Sequence, residues 1–196
     1  MNKEKMSIKE KTKKKLVCYD TFMNFKEYLR PGKGATDITP LLRDGKAFHA
    51  LIEAMIARSP KDIDLVACTE GRGFILGSAI AYCLHVGIVP LRYPGKLKNA
   101  TYSKTYIDYS QKEKTLEIHQ DAITKKQKVL IVDDWVETGA TVKACIYLVE
   151  QCGGIVSGIL TFIDDTSEAT KQELSMYGYS FIEHADHNDA FQVPVN

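Results

Sequence analysis

Two adjacent acids and a small hydroxyl-bearing turn carry the clearest chemistry in this chain. They run Asp133-Asp134, Trp135-Val136-Glu137, then Thr138-Gly139-Ala140-Thr141. In a Thr-Gly-x-Thr turn, backbone N–H groups and two hydroxyls converge on an anion, and a glycine lets the main chain come close to it. Carboxylates repel phosphate, but they accept sugar hydroxyls or hold a Mg²⁺ that bridges to them. Phosphate, vicinal diol and metal together describe a phosphoribosyl group. The turn works as an anion cradle only between a strand end and a helix start. Val129 to Val132 reads as a short buried strand and Val142 to Cys152 carries a helical pattern, so that context is present.

Strand and helix patterns alternate along the rest of the chain. Lys46 to Arg58 places Phe48, Leu51, Ile52, Met55 and Ile56 on one helical face. Ile63 to Cys68 reads as a strand, Gly73 to His85 as a helix, and Gly87 to Leu91 as a strand after a glycine break. Ile155 to Ile163 is the last apolar run, and Gly153-Gly154 ends the helix before it. This alternation predicts an α/β fold with a mainly parallel, twisted sheet flanked by helices. Ligands in such sheets bind at the carboxyl ends of strands, which selects the loops after Cys68, Leu91 and Val132.

Four further blocks occur in order: Asp37-Ile-Thr-Pro-Leu-Leu42, Glu70-Gly-Arg72-Gly-Phe-Ile-Leu-Gly77, Val89-Pro-Leu-Arg92-Tyr-Pro-Gly-Lys96-Leu and Thr115-Leu-Glu-Ile-His-Gln-Asp-Ala122. With the acid-pair string they span about residues 30 to 163, and there the chain resembles type I phosphoribosyltransferases, adenine phosphoribosyltransferases in particular. The resemblance implies a substrate pair of phosphoribosyl pyrophosphate (PRPP) and a purine base, with Mg²⁺ accompanying PRPP. It implies that Asp133, Asp134 and residues Glu137 to Thr141 bind PRPP, that Arg72 sits near the leaving group and the base, and that Arg92 and Lys96 hold pyrophosphate, within a subunit or across a dimer interface. The polar, tyrosine-rich segment of about residues 98–120 resembles the flexible hood that closes over PRPP, and a β-hairpin there is compatible with that role. Tyr109 joins the PRPP set from this hood, and Asp108 and Glu137 are the carboxylates that could exchange a proton with the purine.

Four positions depart from the adenine pattern. Ala35-Thr36, after Gly34, stands where the family has a Phe that covers the base; Trp135 replaces a smaller aliphatic residue and could stack on the purine in its place. Tyr93 replaces a Lys beside Arg92, and Glu137 stands where 6-oxopurine enzymes carry an Asp. The alternatives are therefore a 6-oxopurine transferase and a non-catalytic PRPP-binding regulator. No helix-turn-helix pattern supports the second.

At 196 residues, with 44% hydrophobic and 26% charged residues, the chain fits one globular domain, residues 16–196. Residues 1–15 hold seven Lys against two Glu, so with a net charge of +1 the remainder carries −4. This basic arm is expected to lack fixed structure, and nucleic acid is not an expected partner. Five cysteines without paired or metal-ligand spacing suggest reduced, mostly buried thiols and a cytoplasmic setting. No membrane span is expected, and the resemblance implies a homodimer. Glu183-His184-Ala-Asp186-His187 reads as an exposed polar tail rather than a metal site.

Overall fold

A computed structural model describes residues 23–30 and 36–185. The basic arm, Cys18, Ala35, Asp186 and His187 lie outside the described residues. A 3-10 turn, Phe25–Tyr28, leads to helices α1 (Thr39–Arg43) and α2 (Gly45–Arg58). Then come β1 (Leu65–Thr69), α3 (Arg72–Leu84), β2 (Gly87–Leu91), β3 (Thr101–Ile107), β4 (Glu113–His119) and β5 (Lys128–Val136). The chain continues through α4 (Ala140–Gln151), β6 (Ile155–Asp164), α5 (Glu168–Ser175) and β7 (Tyr179–His184). Five strands form one sheet in the order β2-β1-β5-β6-β7, and every pairing is parallel. This is the α/β architecture that the alternating pattern implied.

Both faces of the sheet are covered, which is why its central strands are apolar without interruption. Along β5, Leu130 and Val132 enter one core with Leu51, Met55, Leu76, Ile80 and Phe162 from α2, α3 and β6. Val129 and Ile131 enter the opposite core with Val142, Cys145 and Leu148 of α4. That division follows from the two-residue repeat of a strand. Helix α2 is capped by Asp44, whose carboxylate accepts from the Lys46 and Ala47 amides. Helix α3 packs so close to β1 that a Cβ on Gly77 would stand 2.7 Å from the Cys68 Cβ.

The structure differs from the sequence expectations in two places, and the hood takes the hairpin form that the sequence allowed. Strand β5 does not stop at Val132; it continues to Val136, pairing Trp135 with Ile163 and Val136 with Asp164. Asp133 and Asp134 therefore sit on the strand itself. The hood segment is an antiparallel hairpin of β3 and β4, registered from Thr101↔His119 to Ile107↔Glu113. Leu116 and Ile118 bury completely against α4, and Arg92 pairs with Glu117 through reciprocal backbone bonds of 2.9 and 2.7 Å. The hood is thus anchored on one face by core residues. Finally, Glu183 and His184 belong to β7 rather than to a tail, and the His184 ring lies 3.3 Å from Asp164. Asp164 is buried and accepts from Thr166 and Tyr179 while pairing with Lys171, which ties α5 and β7 to the end of β6.

Candidate active site

The carboxyl ends of β1, β2 and β5 open onto one side of the sheet, and three loops meet there. After β5, residues Glu137 to Gly139 turn into the first turn of α4. Gly139 adopts φ +73°, a conformation that costs an L side chain, and a Cβ there would also stand 2.7 Å from the Thr170 methyl of α5. Thr138 Oγ1 accepts from the Ala140 amide at 3.3 Å, which shapes the turn. The result is a shallow concavity lined by Val136 to Val142 and by Tyr109 of the hairpin. The N-terminal amides of α4 give it a positive rim. The Tyr106 phenol also reaches this loop at Thr141, and burial raises its pKa. The sequence places Tyr106 in the tyrosine-rich hood but assigns it no site role; its position on one strand face with Tyr102 is the signal that could have done so.

Asp133 and Asp134 lie beside the cradle and are almost fully buried. Asp133 Oδ1 accepts from the Thr69 hydroxyl at 2.6 Å and from the Asp134 amide at 2.9 Å. Burial and the neighbouring Asp134 both raise the Asp133 carboxyl. Burial raises Asp134 as well, opposed by the Arg72 guanidinium, which lies 2.7 Å from its Oδ2. That oxygen has no hydrogen bond aligned with it although it is ion-paired, so part of its bonding capacity stays open.

Arg72 does two things at once. One end of its fork pairs with Asp134, and Nη1 donates to the Thr36 carbonyl at 2.5 Å. It therefore ties the segment before α1 to the acid pair. Arg72 opens α3 directly after Gly71, whose φ of +117° only glycine adopts without strain. Gly73 leaves room for the buried acid: a Cβ there would lie 2.5 Å from Thr69 Oγ1 and 3.1 Å from Asp133 Oδ1.

The loop after β2 carries Arg92 and Lys96. Arg92 bonds through Nε and Nη2 to the Glu70 carboxylate and lies 5.7 Å over the Phe74 ring. Lys96 is exposed beyond the Pro94-Gly95 turn, close enough for its charge to lower the Glu70 carboxyl.

The two candidate proton carriers differ sharply. Asp108 accepts from the Ser110 amide and hydroxyl and the Lys112 amide, and its other oxygen pairs with Lys114 at 2.6 Å. Burial alone would raise it, yet Lys114 and Ser110 prevail and hold it well below the usual carboxylate range. It builds the hairpin turn and is held by four donor groups there. Glu137 is exposed in the cradle loop, and its carboxyl is raised by partial burial and by Asp165 and Asp108. Trp135 is half-buried and packs on the core that contains Ile38, Phe162 and Ile163.

Among the described residues no three His, Cys, Asp or Glu side chains cluster as a metal centre. The Asp133–Asp134 pair offers hard oxygen donors but too few to cage a divalent ion, which suits an ion that brings most of its ligands with it. No helix among the described residues is long and apolar enough to cross a membrane.

Comparison with known proteins places the chain in a family. The family model for the phosphoribosyl transferase domain matches residues 41–195. The adenine phosphoribosyltransferase of Leuconostoc citreum is 44% identical over 161 residues, 81% of this chain and 88% of that protein. That of Thermotoga neapolitana is 46% identical over 151 residues, 72% and 88% respectively. The crystal structure of adenine phosphoribosyltransferase from Thermoanaerobacter pseudethanolicus superposes with a TM-score of 0.74 at 38% identity, over 82% of this chain and 98% of that one. The Giardia lamblia enzyme in complex with 9-deazaadenine gives 0.73 at 28% identity, over 83% and 96%.

Proposed function

The chain belongs to the phosphoribosyltransferase family, and on that premise we propose that it joins adenine to the phosphoribosyl group of PRPP, releasing AMP and pyrophosphate. The observation that carries the reading is the buried Asp133–Asp134 pair set beside a glycine-hinged cradle at the start of α4. A 5′-phosphate enters the cradle at Thr138 to Thr141 and takes its amides and hydroxyls. Asp133 and Asp134 accept the ribose hydroxyls and stabilise positive charge as it develops at C1. Asp133 and Asp134 would face a Mg²⁺ that accompanies PRPP, and that ion would supply further charge neutralisation of the leaving group.

In the transfer itself, the bond from C1 to pyrophosphate breaks, the purine N9–C1 bond forms, and the proton lost from the purine passes to the Glu137 carboxylate. Arg72, Arg92 and Lys96 receive the charge of the leaving pyrophosphate. Thr36 and Trp135 border the space for the base, with Ala35 preceding them in the chain. Glu137 is the carboxylate in position to exchange a proton with the purine, and its raised carboxyl brings it nearer the working pH. Tyr109 and the hairpin cover the sugar, which excludes water from a cation that would otherwise be hydrolysed.

A homodimer is the expected assembly; Ile75 and Tyr82 on α3 and Ile88 on β2 are apolar yet exposed, which supports pairing of two copies. The compartment consistent with reduced thiols is the cytoplasm. The test is to offer PRPP and Mg²⁺ with adenine, hypoxanthine and guanine in turn and to follow nucleotide formation. Adenine turnover is expected. Turnover of hypoxanthine or guanine alone would replace this reading with the 6-oxopurine one, and PRPP binding without turnover of any base would favour a regulator.

A further inference from the structure

Glu70 is acidic, yet it stands among the cations assigned to an anionic leaving group. Its carboxylate spans two loops. It accepts from Arg92 Nε at 3.1 Å, from Arg92 Nη2 at 3.3 Å and from the Tyr93 amide at 2.8 Å. Arg92 is fixed from two other sides, by the Phe74 ring and by its backbone pairing with Glu117 of the hairpin. A guanidinium whose Nε edge is occupied presents the Nη1 end of its fork to an incoming ligand. Glu70 and Arg92 side chains are only 20% and 31% exposed, so the pair is shielded enough to hold one orientation.

We propose that Glu70 is a positioning residue for pyrophosphate: it aims Arg92 and, through the Tyr93 amide, sets the turn that carries Lys96. The inference rests on the adenine phosphoribosyltransferase reading and adds a residue that touches no substrate. Two opposed effects decide the outcome of its removal. Loss of a negative charge beside the anion would tighten pyrophosphate binding, whereas loss of orientation would weaken it. The bidentate geometry and the third bond to the Tyr93 amide make orientation the larger effect.

The experiment compares the wild-type chain with E70A, E70Q, R92A and E70A/R92A. It measures KM for PRPP, inhibition by pyrophosphate, inhibition by AMP and thermal stability. Expected for E70A are KM for PRPP and the pyrophosphate inhibition constant raised about tenfold, with AMP inhibition unchanged because AMP lacks the pyrophosphate group. E70Q, which keeps an acceptor for Arg92 and Tyr93, should recover part of the loss. In the R92A background, E70A should add less than about twofold, as coupled partners do. Tighter pyrophosphate binding in E70A, equal loss of AMP inhibition, or additive effects would overturn the proposal. Should the wild-type chain not turn over adenine, the functional reading falls, and calorimetric titration of pyrophosphate into wild type and E70A still decides the role of Glu70; a wild type that binds no pyrophosphate overturns it.

Discussion

Asp133 shows how a reactive group can oppose the stability of its own fold. Its carboxyl is raised because burial and Asp134 both disfavour its charge. A raised carboxyl contributes its stability in full below the ordinary value of 3.8 and loses it as pH climbs towards about 7. Asparagine keeps an oxygen for Thr69 and the Asp134 amide and never ionises. D133N should therefore match wild type near pH 4 and exceed it in Tm at pH 7–8. The same variant should lose transfer activity; equal melting curves at both pH values would contradict the burial argument. Glu137 makes a second pH claim. With its carboxyl raised, the acidic limb of the kcat profile should lie above the ordinary carboxylate range. E137Q should remove that limb and lower kcat on the order of 100-fold, and an unchanged profile would assign the proton exchange elsewhere. At this scale, sequence reached the acid pair, the cradle and Arg72 because they are contiguous or lie in short motifs. It could not reach the link from Glu70 to Arg92, 22 positions away, or the ties of Asp108 to Ser110, Lys112 and Lys114, which exist only once the hairpin turns.

The elements explain how those side chains stay in place. The cradle is braced from below by α5: Thr170 packs at Gly139, and Lys143 of α4 pairs with Glu173 at 2.6 Å. G139A meets both a strained φ and the Thr170 methyl, so it should raise KM for PRPP well before it unfolds the chain, as kinetics and melting measured together would reveal. The hairpin is held by Leu116 and Ile118. I118A should cost about 2–5 kcal/mol in stability through the cavity it leaves. It should also loosen Tyr109 over the cradle, so KM for PRPP should rise with it; a loss of stability with KM unchanged would separate the hairpin from binding. Helices α2, α3 and α4 were legible because each carries a continuous apolar stripe. Helix α5 was not, since Leu174 is its one buried residue, and β7 was hidden because its residues are half-buried and follow no full apolar run.

As a whole, the molecule places its polar machinery where two apolar cores end. Both cores converge on β5, the strand that supplies residues to each of them and then carries the acids in its carboxyl-terminal half. Phe162, fully buried and edge-on to Phe25 at 6.0 Å, locks the far side of that arrangement. The central claim is that residues 138–141 receive a 5′-phosphate while Asp133 and Asp134 face the sugar. A crystal structure of the chain with AMP tests it most directly. The account predicts phosphate density within hydrogen-bonding distance of the Gly139 to Thr141 amides and ribose hydroxyls turned to the acid pair. Phosphate bound instead at the loop of residues 70–73, with the α4 cradle unengaged, would contradict it.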